Sequence, residues 1–319
     1  MIAVLTGGTG GAKFVDGLRR VVPPRELTII VNTGDDFEWW GLHVSPDLDS
    51  ITYMLADMLS KERGWGVEGD TFQCLEAMRR VGQPAWFQVG DRDLSAHLLR
   101  TQLLRSGKTL SEATSEIARA LGIEARVMPM SDSPVETRVL TPDGEISFQE
   151  YFVKRRHRDE VKAVRFVGVE QATPAPGVVE AIQSAEAVLI APSNPITSIG
   201  PMLAVPGIRE ALCQTAAPVV AVSPIVGEAA VSGPAGALMA SHGLPVSAAG
   251  VAQAYADFLD VLIVDSHDTN LPRPTGVQVH ATNVIMKSEE GRTQLARFAL
   301  AIATNLQTPA VARSSPTLA

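Results

Sequence analysis

The first residues of the chain constrain its fold most, because they read as a strand, a glycine-rich turn and a helix in immediate succession. Ile2–Leu5 is a short apolar strand, residues 6–13 (TGGTGGAK) form the turn, and Pro23 ends the helix that follows. Glycines let the backbone approach an anion closely, and a helix N-terminus offers free N–H groups and a partial positive charge. The unit therefore predicts a phosphate-binding turn in an α/β fold.

The glycine turn matches neither of two common nucleotide-binding patterns. With Gly8 and Gly10 as the first two glycines, Lys13 stands where a dinucleotide fingerprint has Gly or Ala. Phe14 follows the lysine, where a Walker A loop has the Ser or Thr that holds magnesium. A tight turn that only packs the helix on the strand remains the alternative.

A second strand, Leu27–Val31, ends in a loop that is rich in acids and aromatic residues. Ligands of open α/β sheets bind at the carboxyl ends of the strands. Acids packed this closely repel one another, so the loop predicts a cation, a proton or a bound polar group between them. A metal-assisted site is our first hypothesis. The loop contains Asp35, Asp36, Glu38, Trp39, Trp40 and Asp47, and Asp49 lies just beyond it.

A predicted helix start accounts for one of these acids without any ligand. Ser45 stands at the N-cap, Pro46 at the first helical position, and Asp47 faces the helix dipole. Asp49 is explained less well in this way. The two adjacent tryptophans cannot easily both face inward, so we expect one of them to meet a ligand or a partner.

Residues 70–122 are predicted to be a mainly helical insertion. Its helices are Thr71–Val81, Asp93–Ser106 and Ser111–Leu121, the last with a capping box at its start. Between the first two helices, Trp86–Val89 reads as a short strand that ends in the charged turn GDRD. Arg92 in this turn has two interpretations that the residue types leave open. It binds a phosphate or a planar acceptor, or it only pairs with an aspartate at a helix start.

The second half of the chain alternates strands and helices. Residues 136–153 predict a β-hairpin around the turn Thr141–Gly144. The basic run 154–158 is read as a solvated loop, with a phosphate or partner contact as the minority alternative. Three later strands each end in a loop of Ser, Asn or Asp, which is typical of a parallel sheet whose ligands line one edge. These three strands are Ala187–Ala191, Val219–Val222 and Val261–Val264. A final strand, Val277–Ala281, is followed by a helix.

Together these elements predict a Rossmann-like, doubly wound α/β fold with a mostly parallel sheet, the helical insertion and the β-hairpin. A chain of 319 residues is long enough to bury a sizeable core. Because no internal repeat or long linker occurs, we expect residues 1–319 to form a single domain with a disordered tail at about 308–319.

Charge and cysteine usage narrow the choice of partners. The net charge of −8 argues against a general nucleic-acid or anionic-membrane binder, and no apolar run approaches the roughly 20 residues that span a bilayer. Cys74 and Cys213 form no CxxC motif or disulfide framework. The apolar start lacks the basic region and cleavage site of a signal peptide. We therefore expect a cytoplasmic protein that acts on small molecules.

With these residues in view, the chain resembles the CofD family, the 2-phospho-L-lactate transferases of coenzyme F-420 biosynthesis. The matching segments run in one order from Gly7 to about Asp265 and cover most of the chain. Each segment alone is a weak signal of the family, whereas nine such segments in one order are highly specific for it. They are GGTGGAK, VNTGDD, VSPDLD, GDRDLSAHLLRT, PMSDSPVETRV, FQEYFV, APSNPITSIGPML, AVSPIVGEAAVSGPA and VAQAYADFLDVLIVD.

The resemblance implies a reaction and a cofactor. The deazaflavin Fo offers its terminal ribityl hydroxyl to a guanosine diphosphate ester of lactate or enolpyruvate. The β-phosphoryl group is transferred with its acid, and GMP leaves. A divalent metal, usually magnesium, is implied as well. Phosphoryl transfer depends mainly on positioning and on neutralising charge, which a carboxylate-held metal and a cradle of backbone N–H groups would supply.

The resemblance also carries roles onto residues. Asp49 in the PDLD motif, with Asp36 as its neighbour, would hold the metal or orient the attacking hydroxyl. Arg92 would contact Fo or the transferring group, and Trp39 or Trp40 would stack on an aromatic ring. The phosphates would be faced by Gly8, Gly10, Gly11 and Lys13, and the guanosine side would be lined by Ser131, Asp132, Ser193 and Asn194.

Three other classes of protein compete with this interpretation. A non-catalytic, sugar-nucleotide-binding regulator of the YvcK type shares a glycine-led fold, but the GDRD and APSNP motifs argue against it. An NAD-dependent oxidoreductase is favoured only by the glycine turn, and the polar loops at several strand ends disfavour a scaffold protein. The motifs leave the transferred acid and the choice of metal open, and a homodimer is compatible with an enzyme of this size.

Overall fold

Residues 1–268 and 276–306 are described by the structure, a computed structural model of the chain. The strands are β1 (Ile2–Thr6), β2 (Leu27–Val31), β3 (Phe37–Trp39), β4 (Leu42–Val44), β5 (Arg126–Pro129), β6 (Glu136–Thr141), β7 (Gly144–Ser147), β8 (Ala163–Val167), β9 (Ala187–Ile190), β10 (Val219–Val222), β11 (Ile225–Val226), β12 (Ala229–Ala230), β13 (Val261–Asp265) and β14 (Gln278–Thr282). The α-helices are α1 (Gly8–Leu18), α2 (Pro46–Leu55), α3 (Gln73–Arg80), α4 (Leu94–Arg105), α5 (Leu110–Ala120), α6 (Val178–Gln183), α7 (Gly200–Ala204), α8 (Ile208–Gln214), α9 (Ala235–Ser241), α10 (Ala248–Ala254) and α11 (Glu289–Asn305).

Seven of the strands form one central sheet in which every neighbouring pair is parallel. Their order across the sheet is β5-β2-β1-β9-β10-β13-β14. The chain therefore winds outward from β1 in one direction, returns to β9 beside β1, and winds outward in the other. This is the doubly wound Rossmann order with one further strand, and it confirms the predicted fold class. The order reverses between β1 and β9, which is where such sheets bind ligands.

The sheet is covered by helices on both faces, as a buried parallel sheet requires. Adjacent residues of β1 illustrate this arrangement, because Val4 packs into one core and Leu5 into the other. On the Val4 side the core is completed by α1, α2 and α11 through residues such as Phe14, Leu18, Leu48, Ile51 and Leu295. On the Leu5 side it is completed by α6 to α10 through residues such as Ile182, Ile208, Leu238 and Val251.

The helices predicted between residues 70 and 122 are present as α3, α4 and α5. Two local details of that segment were predicted wrongly. Trp86–Val89 is irregular rather than a strand, and the capping box of α5 is made by Thr109 and Glu112, so it begins two residues before Ser111. Whether residues 1–319 form a single domain stays a prediction, and the predicted disordered tail lies outside the described residues.

Three small antiparallel sheets accompany the central sheet in the described part of the chain, namely β7–β6–β8, β3–β4 and β11–β12. The predicted hairpin around Thr141–Gly144 is confirmed as β6 and β7, to which β8 adds a third strand. The second strand ends at Ser147 rather than running on to residue 153, because the chain turns into a π-helix, Glu150–Lys154. The segment between β2 and α2 was predicted to be a loop but contains the hairpin β3–β4, with Trp40 and Gly41 at positive φ in its tight turn.

Within residues 1–268 and 276–306, no helix is both long and apolar enough to cross a bilayer.

The contact between α1 and α11 gives a stability prediction. A Cβ atom at Gly17 would lie only 2.2 Å from the backbone carbonyl oxygen of Arg292, which cannot move without shifting α11. We expect Gly17→Ala to destabilise the fold by about 1–3 kcal/mol, the usual range for overpacking. Gly291→Ala is the matched control, because its Cβ meets its nearest neighbours at ordinary contact distances of 3.4–3.5 Å. Chemical denaturation measures both, and equal midpoints for the two variants would contradict this account.

Candidate functional site

A cavity of about 720 Å³ opens at the carboxyl ends of the central strands. It is lined by the glycine turn that leads from β1 into α1, with Gly8 and Gly10, and by the loop after β9, with Ser193 and Asn194. These are the two loops that flank the reversal of strand order, so the cavity lies at the topological switch point of the sheet. Of the residues assigned to the site from sequence, six line it, namely Gly8, Gly10, Lys13, Asp49, Ser193 and Asn194.

The glycine turn is fixed to the neighbouring loop by one hydroxyl group. Ser193 Oγ donates to the carbonyl oxygen of Gly7 (2.7 Å) and accepts from the Gly7 N–H (3.2 Å). Close packing explains two of the glycines, because a Cβ at Gly10 would lie 2.6 Å from the Pro192 carbonyl oxygen and one at Gly11 would lie 1.9 Å from Thr6 Oγ1. Gly11 therefore serves helix packing and does not line the cavity.

Two buried carboxylates lie beside this turn. Asp47 Oδ1 accepts from the backbone N–H of Gly8 (2.7 Å), and Asp47 Oδ2 accepts from Asn32 Nδ2 (2.9 Å). The same amide nitrogen donates to Asp35 Oδ1 at 2.8 Å, so one side chain bridges both acids. Asp35 and Asp47 both line the cavity, and in the described part of the chain no basic side chain forms an ion pair with either.

The environment of this pair disfavours negative charge. Burial, partly offset by hydrogen bonds from Asn32 and Gly8, raises the pKa of Asp47 to about 6. Burial and the neighbouring Asp47 charge raise the pKa of the Asp35 carboxyl well above its usual value. Two adjacent carboxyls with raised pKa values and a cavity in front of them form a site that a cation would stabilise.

The helix start at α2 differs from its predicted form. Ser45 stands at the N-cap and Pro46 is the first helical residue, as expected, but the Ser45 hydroxyl makes no capping bond and donates to Asp36 Oδ2 (2.6 Å) instead. Asp47 lies in the first turn, yet its carboxylate bonds to Gly8 and Asn32 outside the helix. The position of Asp47 in the first turn agrees with the predicted interaction with the helix dipole, but its carboxylate also bonds to the glycine turn through Gly8.

Asp36 lies behind the cavity wall rather than on it. Its Oδ2 also lies 3.1 Å from Nε2 of His43, and its Oδ1 is buried without a hydrogen-bond partner among the described residues. Burial raises the pKa of Asp36, although the bonds from His43 and Ser45 act in the opposite direction. Of the two consecutive aspartates, it is thus Asp35 that reaches the cavity.

Asp49 belongs to a second cluster of charged groups on the cavity wall. Arg100, itself buried, donates to both oxygens of Asp49, with Nη1 at 3.2 Å from Oδ2. His97 lies between two acids, with Nδ1 3.5 Å from Asp49 Oδ2 and Nε2 3.3 Å from Asp93 Oδ1. Tyr53 donates to the same Asp93 oxygen at 2.7 Å. Ligand atoms of Asp49, Asp93 and His97 lie within 4.8 Å of one another, so these three residues could hold a metal ion.

The electrostatics of this cluster differ from those of the Asp35–Asp47 pair. Burial alone would raise the pKa of Asp93, but hydrogen bonds with His97 and Tyr53 lower it below its usual value. Burial and the nearby charges of Asp49 and Asp93 raise the pKa of Tyr53. The Arg100 guanidinium already supplies the positive charge that Asp49 needs.

Aromatic side chains form another wall of the cavity. Trp86 and Phe87 line it from the irregular segment before α4, and Phe148 and Phe152 line it as a stacked pair with ring centroids 5.6 Å apart. Trp39 and Trp40, one of which was expected to meet a ligand, do not line the cavity. Trp39 packs edge-on against Trp86 (4.8 Å), and Trp40 donates its indole N–H to the Pro84 carbonyl oxygen (2.9 Å).

Three further residues assigned from sequence lie away from the cavity. Arg92 is exposed, and its Nη1 donates to the carbonyl oxygen of Glu68 at 3.0 Å. Ser131 donates to the carbonyl oxygen of Thr173 (2.6 Å), and Asp132 accepts from both the N–H and the hydroxyl of Ser111 (2.7 Å each). Ser131 and Asp132 follow β5, which is the edge strand, and are therefore remote from the switch point.

Asp93, His97 and Arg100 were not predicted as site residues, although all three stand in the segment GDRDLSAHLLRT. The spacing i, i+4, i+7 places them on one face of α4, and a polar stripe on the inner face of a helix is the signal that would have identified them. Arg92 stands just before this stripe and is directed outward.

Comparison with known proteins identifies the family of the chain. A model of the family "2-phospho-L-lactate transferase CofD" matches residues 2–295. A 2-phospho-L-lactate transferase of Methanococcoides burtonii is 44% identical over 306 residues, which cover 95% of this chain and 99% of that protein. A phosphoenolpyruvate transferase of Streptomyces griseus is 44% identical over 315 residues, covering 96% of this chain and 99% of that protein.

A solved structure extends the comparison to the fold alone. The crystal structure of a UPF0052 family protein, BH3568 of Bacillus halodurans, superposes with a TM-score of 0.62 at 17% sequence identity, covering 94% of this chain and 99% of that one. Because the family model spans nearly the whole chain and the relatives match it from end to end, this chain belongs to the 2-phospho-L-lactate transferase (CofD) family and is a transferase.

Proposed function

We propose that this transferase moves a phospholactyl or phosphoenolpyruvyl group from a guanosine diphosphate ester to the terminal ribityl hydroxyl of the deazaflavin Fo, in coenzyme F-420 biosynthesis. One observation carries the proposal: a single cavity joins a glycine turn and two buried carboxylates with an aromatic wall. The polar side suits a diphosphate with its cation, and the aromatic side suits a planar deazaflavin ring.

We propose that Asp35 and Asp47 hold the magnesium ion. Their burial, their raised pKa values and their lack of an ion-pair partner among the described residues support this assignment. The Asp49–Asp93–His97 group fits less well, because a cation there would meet the guanidinium of Arg100. When bound, magnesium neutralises the charge that develops on the transferring phosphoryl group. The sequence-based assignment to Asp36 and Asp49 thus moves to the two aspartates that share Asn32.

The remaining roles follow from what each group can still bind. The first turn of α1 offers backbone N–H groups to the diphosphate, with Lys13 beside them. Asn194 accepts from the N–H groups of Ile196 (2.9 Å) and Thr197 (3.3 Å), which leaves its amide nitrogen to donate to the guanosine side.

We propose that Asp49 accepts the proton of the attacking hydroxyl group. The hydroxyl oxygen bonds to the β-phosphorus while the bond from that phosphorus to the bridging oxygen breaks. GMP leaves with the bridging oxygen, and the hydroxyl proton passes to Asp49. Arg100 positions Asp49 through its two-fold contact and prevents it from rotating away.

The reaction itself gives the first test. Fo incubated with the protein, magnesium and either the lactyl or the enolpyruvyl ester of guanosine diphosphate should gain the mass of the corresponding phosphoryl-acid group, with one GMP released per adduct. Mass spectrometry of each mixture measures both products. Neither adduct nor GMP with either ester would refute the proposed function.

Magnesium binding should depend on pH with a defined sign. A carboxyl whose pKa is higher in the folded than in the unfolded protein stabilises the fold at low pH, and this contribution is lost as pH rises from the ordinary value of 3.8 through about 6 for Asp47. Magnesium needs the ionised carboxylates, so its addition should raise the melting temperature more at pH 7.5 than at pH 5. Differential scanning fluorimetry at both pH values measures the difference.

Two variants locate the ion in the same experiment. Asp47→Asn should abolish the magnesium-induced rise in melting temperature, whereas Asp93→Asn should retain it. The opposite pattern would place the metal in the Asp49–Asp93–His97 group instead.

Transfer kinetics test the roles of Asp49, Arg100 and Arg92. Asp49→Asn should lower turnover by about 10²- to 10⁴-fold, the usual effect of removing a group that handles a proton. Arg100→Met should lower turnover as well, and it should cost about 3–5 kcal/mol of stability because Asp49 is left as an unpaired buried charge. Arg92→Gln tests the sequence-based role of that exposed residue, and we expect turnover near that of the unaltered protein. A loss in Arg92→Gln as large as that in Asp49→Asn would restore Arg92 to the site.

A further inference from the structure

Within the basic run at residues 154–158, one cation both lines the cavity and is left free by its neighbours. Lys154 and Arg155 both pair with Glu150 (3.1 and 3.2 Å), and Arg155 also pairs with Asp159 (3.3 Å). His157 stacks on Phe152, with ring centroids 5.8 Å apart. Arg156 is the member of the run that lines the cavity, and among the described residues no hydrogen bond or ion pair engages its guanidinium.

Arg156 lies in a strained stretch of backbone. Its φ is 54°, and that of His157 is 43°, in the left-handed region that favours glycine. The surroundings hold this turn in place, because the His157 N–H donates to the Tyr151 carbonyl oxygen (2.8 Å) and the Arg155 N–H donates to that of Glu150 (2.9 Å). A non-glycine residue that is kept in such a conformation at the edge of a cavity points to a functional side chain.

The charge of the cavity explains why a cation is needed there. Four aspartates line it, against three basic side chains, Lys13, Arg156 and Lys287. The proposed donor carries two charges on its diphosphate and one on its carboxylate, so an acidic cavity needs a separate cation for each anionic part of this ligand. The N-terminus of α1 and Lys13 already serve the diphosphate. The planar guanidinium of arginine matches a carboxylate with two parallel hydrogen bonds.

We propose that Arg156 binds the carboxylate of the transferred three-carbon acid and that the strained turn at 155–157 exists to present it. This inference rests on the proposed function, because it takes the guanosine diphosphate ester as the ligand. Arg156 contacts substrate and not the reacting phosphorus, so its effect should appear in donor binding.

The test compares the binding of two guanosine nucleotides to the full-length protein in magnesium buffer without Fo, so that no transfer occurs. Isothermal titration calorimetry measures the lactyl ester of guanosine diphosphate, which has the carboxylate, and GDP, which lacks it. Arg156→Gln should weaken the ester about 10- to 100-fold and leave GDP unchanged, whereas Arg156→Lys should lose less. Arg158→Gln is the matched control, since Arg158 belongs to the same basic run and does not line the cavity.

A glycine variant separates this role from a structural one. Arg156→Gly relieves the left-handed strain, so it should raise the melting temperature and still weaken the ester as much as Arg156→Gln does. A parallel loss of GDP and ester affinity would assign Arg156 to the diphosphate and overturn the carboxylate assignment, as would unchanged ester affinity. An unaltered protein that binds neither nucleotide would overturn the proposed function together with this inference, whereas one that binds the ester but never transfers it would overturn the function alone.

Discussion

The side chain of Asn32 joins most of the segments that build the site. Its amide nitrogen donates to Asp35 and Asp47, and it lies 3.4 Å from the carbonyl oxygen of Thr197 in the loop after β9. Its amide oxygen accepts from the N–H of Gly34 (2.9 Å), and its own backbone N–H donates to Thr6 at the end of β1 (3.0 Å). One buried residue thereby fixes four segments relative to one another: the end of β1, the loop after β2, the start of α2 and the loop after β9. Each polar group left unpaired by its loss would cost about 1–3 kcal/mol.

This arrangement leaves the acids of the cavity in two different electrostatic states. Asp49 is paired with a buried guanidinium, so its negative charge is balanced within the protein. Asp35 and Asp47 share only a neutral amide group, so their negative charge is not balanced unless a proton or a cation binds. Acids that lie within a few residues of one another in sequence, such as Asp47 and Asp49, thus differ in how their charge is balanced. The difference comes from which elements pack against each of them.

The doubly wound, mostly parallel sheet could be predicted because it depends on patterns that survive in a single sequence, whereas the order of its strands was not predicted. The apolar runs of β1, β2, β9 and β10 and the polar loops that follow them indicate a parallel sheet regardless of side-chain detail. The hairpin β3–β4 could not be predicted, because its turn consists of Trp40 and Gly41 rather than the Asn-Gly or Asp-Gly pairs that signal such turns.

The site residues were harder to predict than the fold, because proximity in sequence does not give the direction of a side chain. Asp35 and Asp36 are adjacent, yet one lines the cavity and the other bonds to His43 and Ser45 behind it. Arg92 and Arg100 lie in one segment, GDRDLSAHLLR, yet only Arg100 shares the inner face of α4 with His97. Helical periodicity contained this information, whereas the turn between β2 and β3, which holds Asp35 and Asp36, contained none.

The relatives bear on how the protein would select between lactate and enolpyruvate in the donor. A lactate-type transferase and a phosphoenolpyruvate-type transferase are each 44% identical to this chain, so overall similarity does not separate the two acids. A guanidinium that binds the carboxylate cannot separate them either, since both acids carry it. Discrimination must come from the shape around the α-carbon, tetrahedral in lactate and planar in enolpyruvate, where a difference of this size is worth about 1–3 kcal/mol. Under the proposed role of Arg156, the apolar side chains Phe152 and Val153, which line the cavity just before it, are the first candidates for making that distinction.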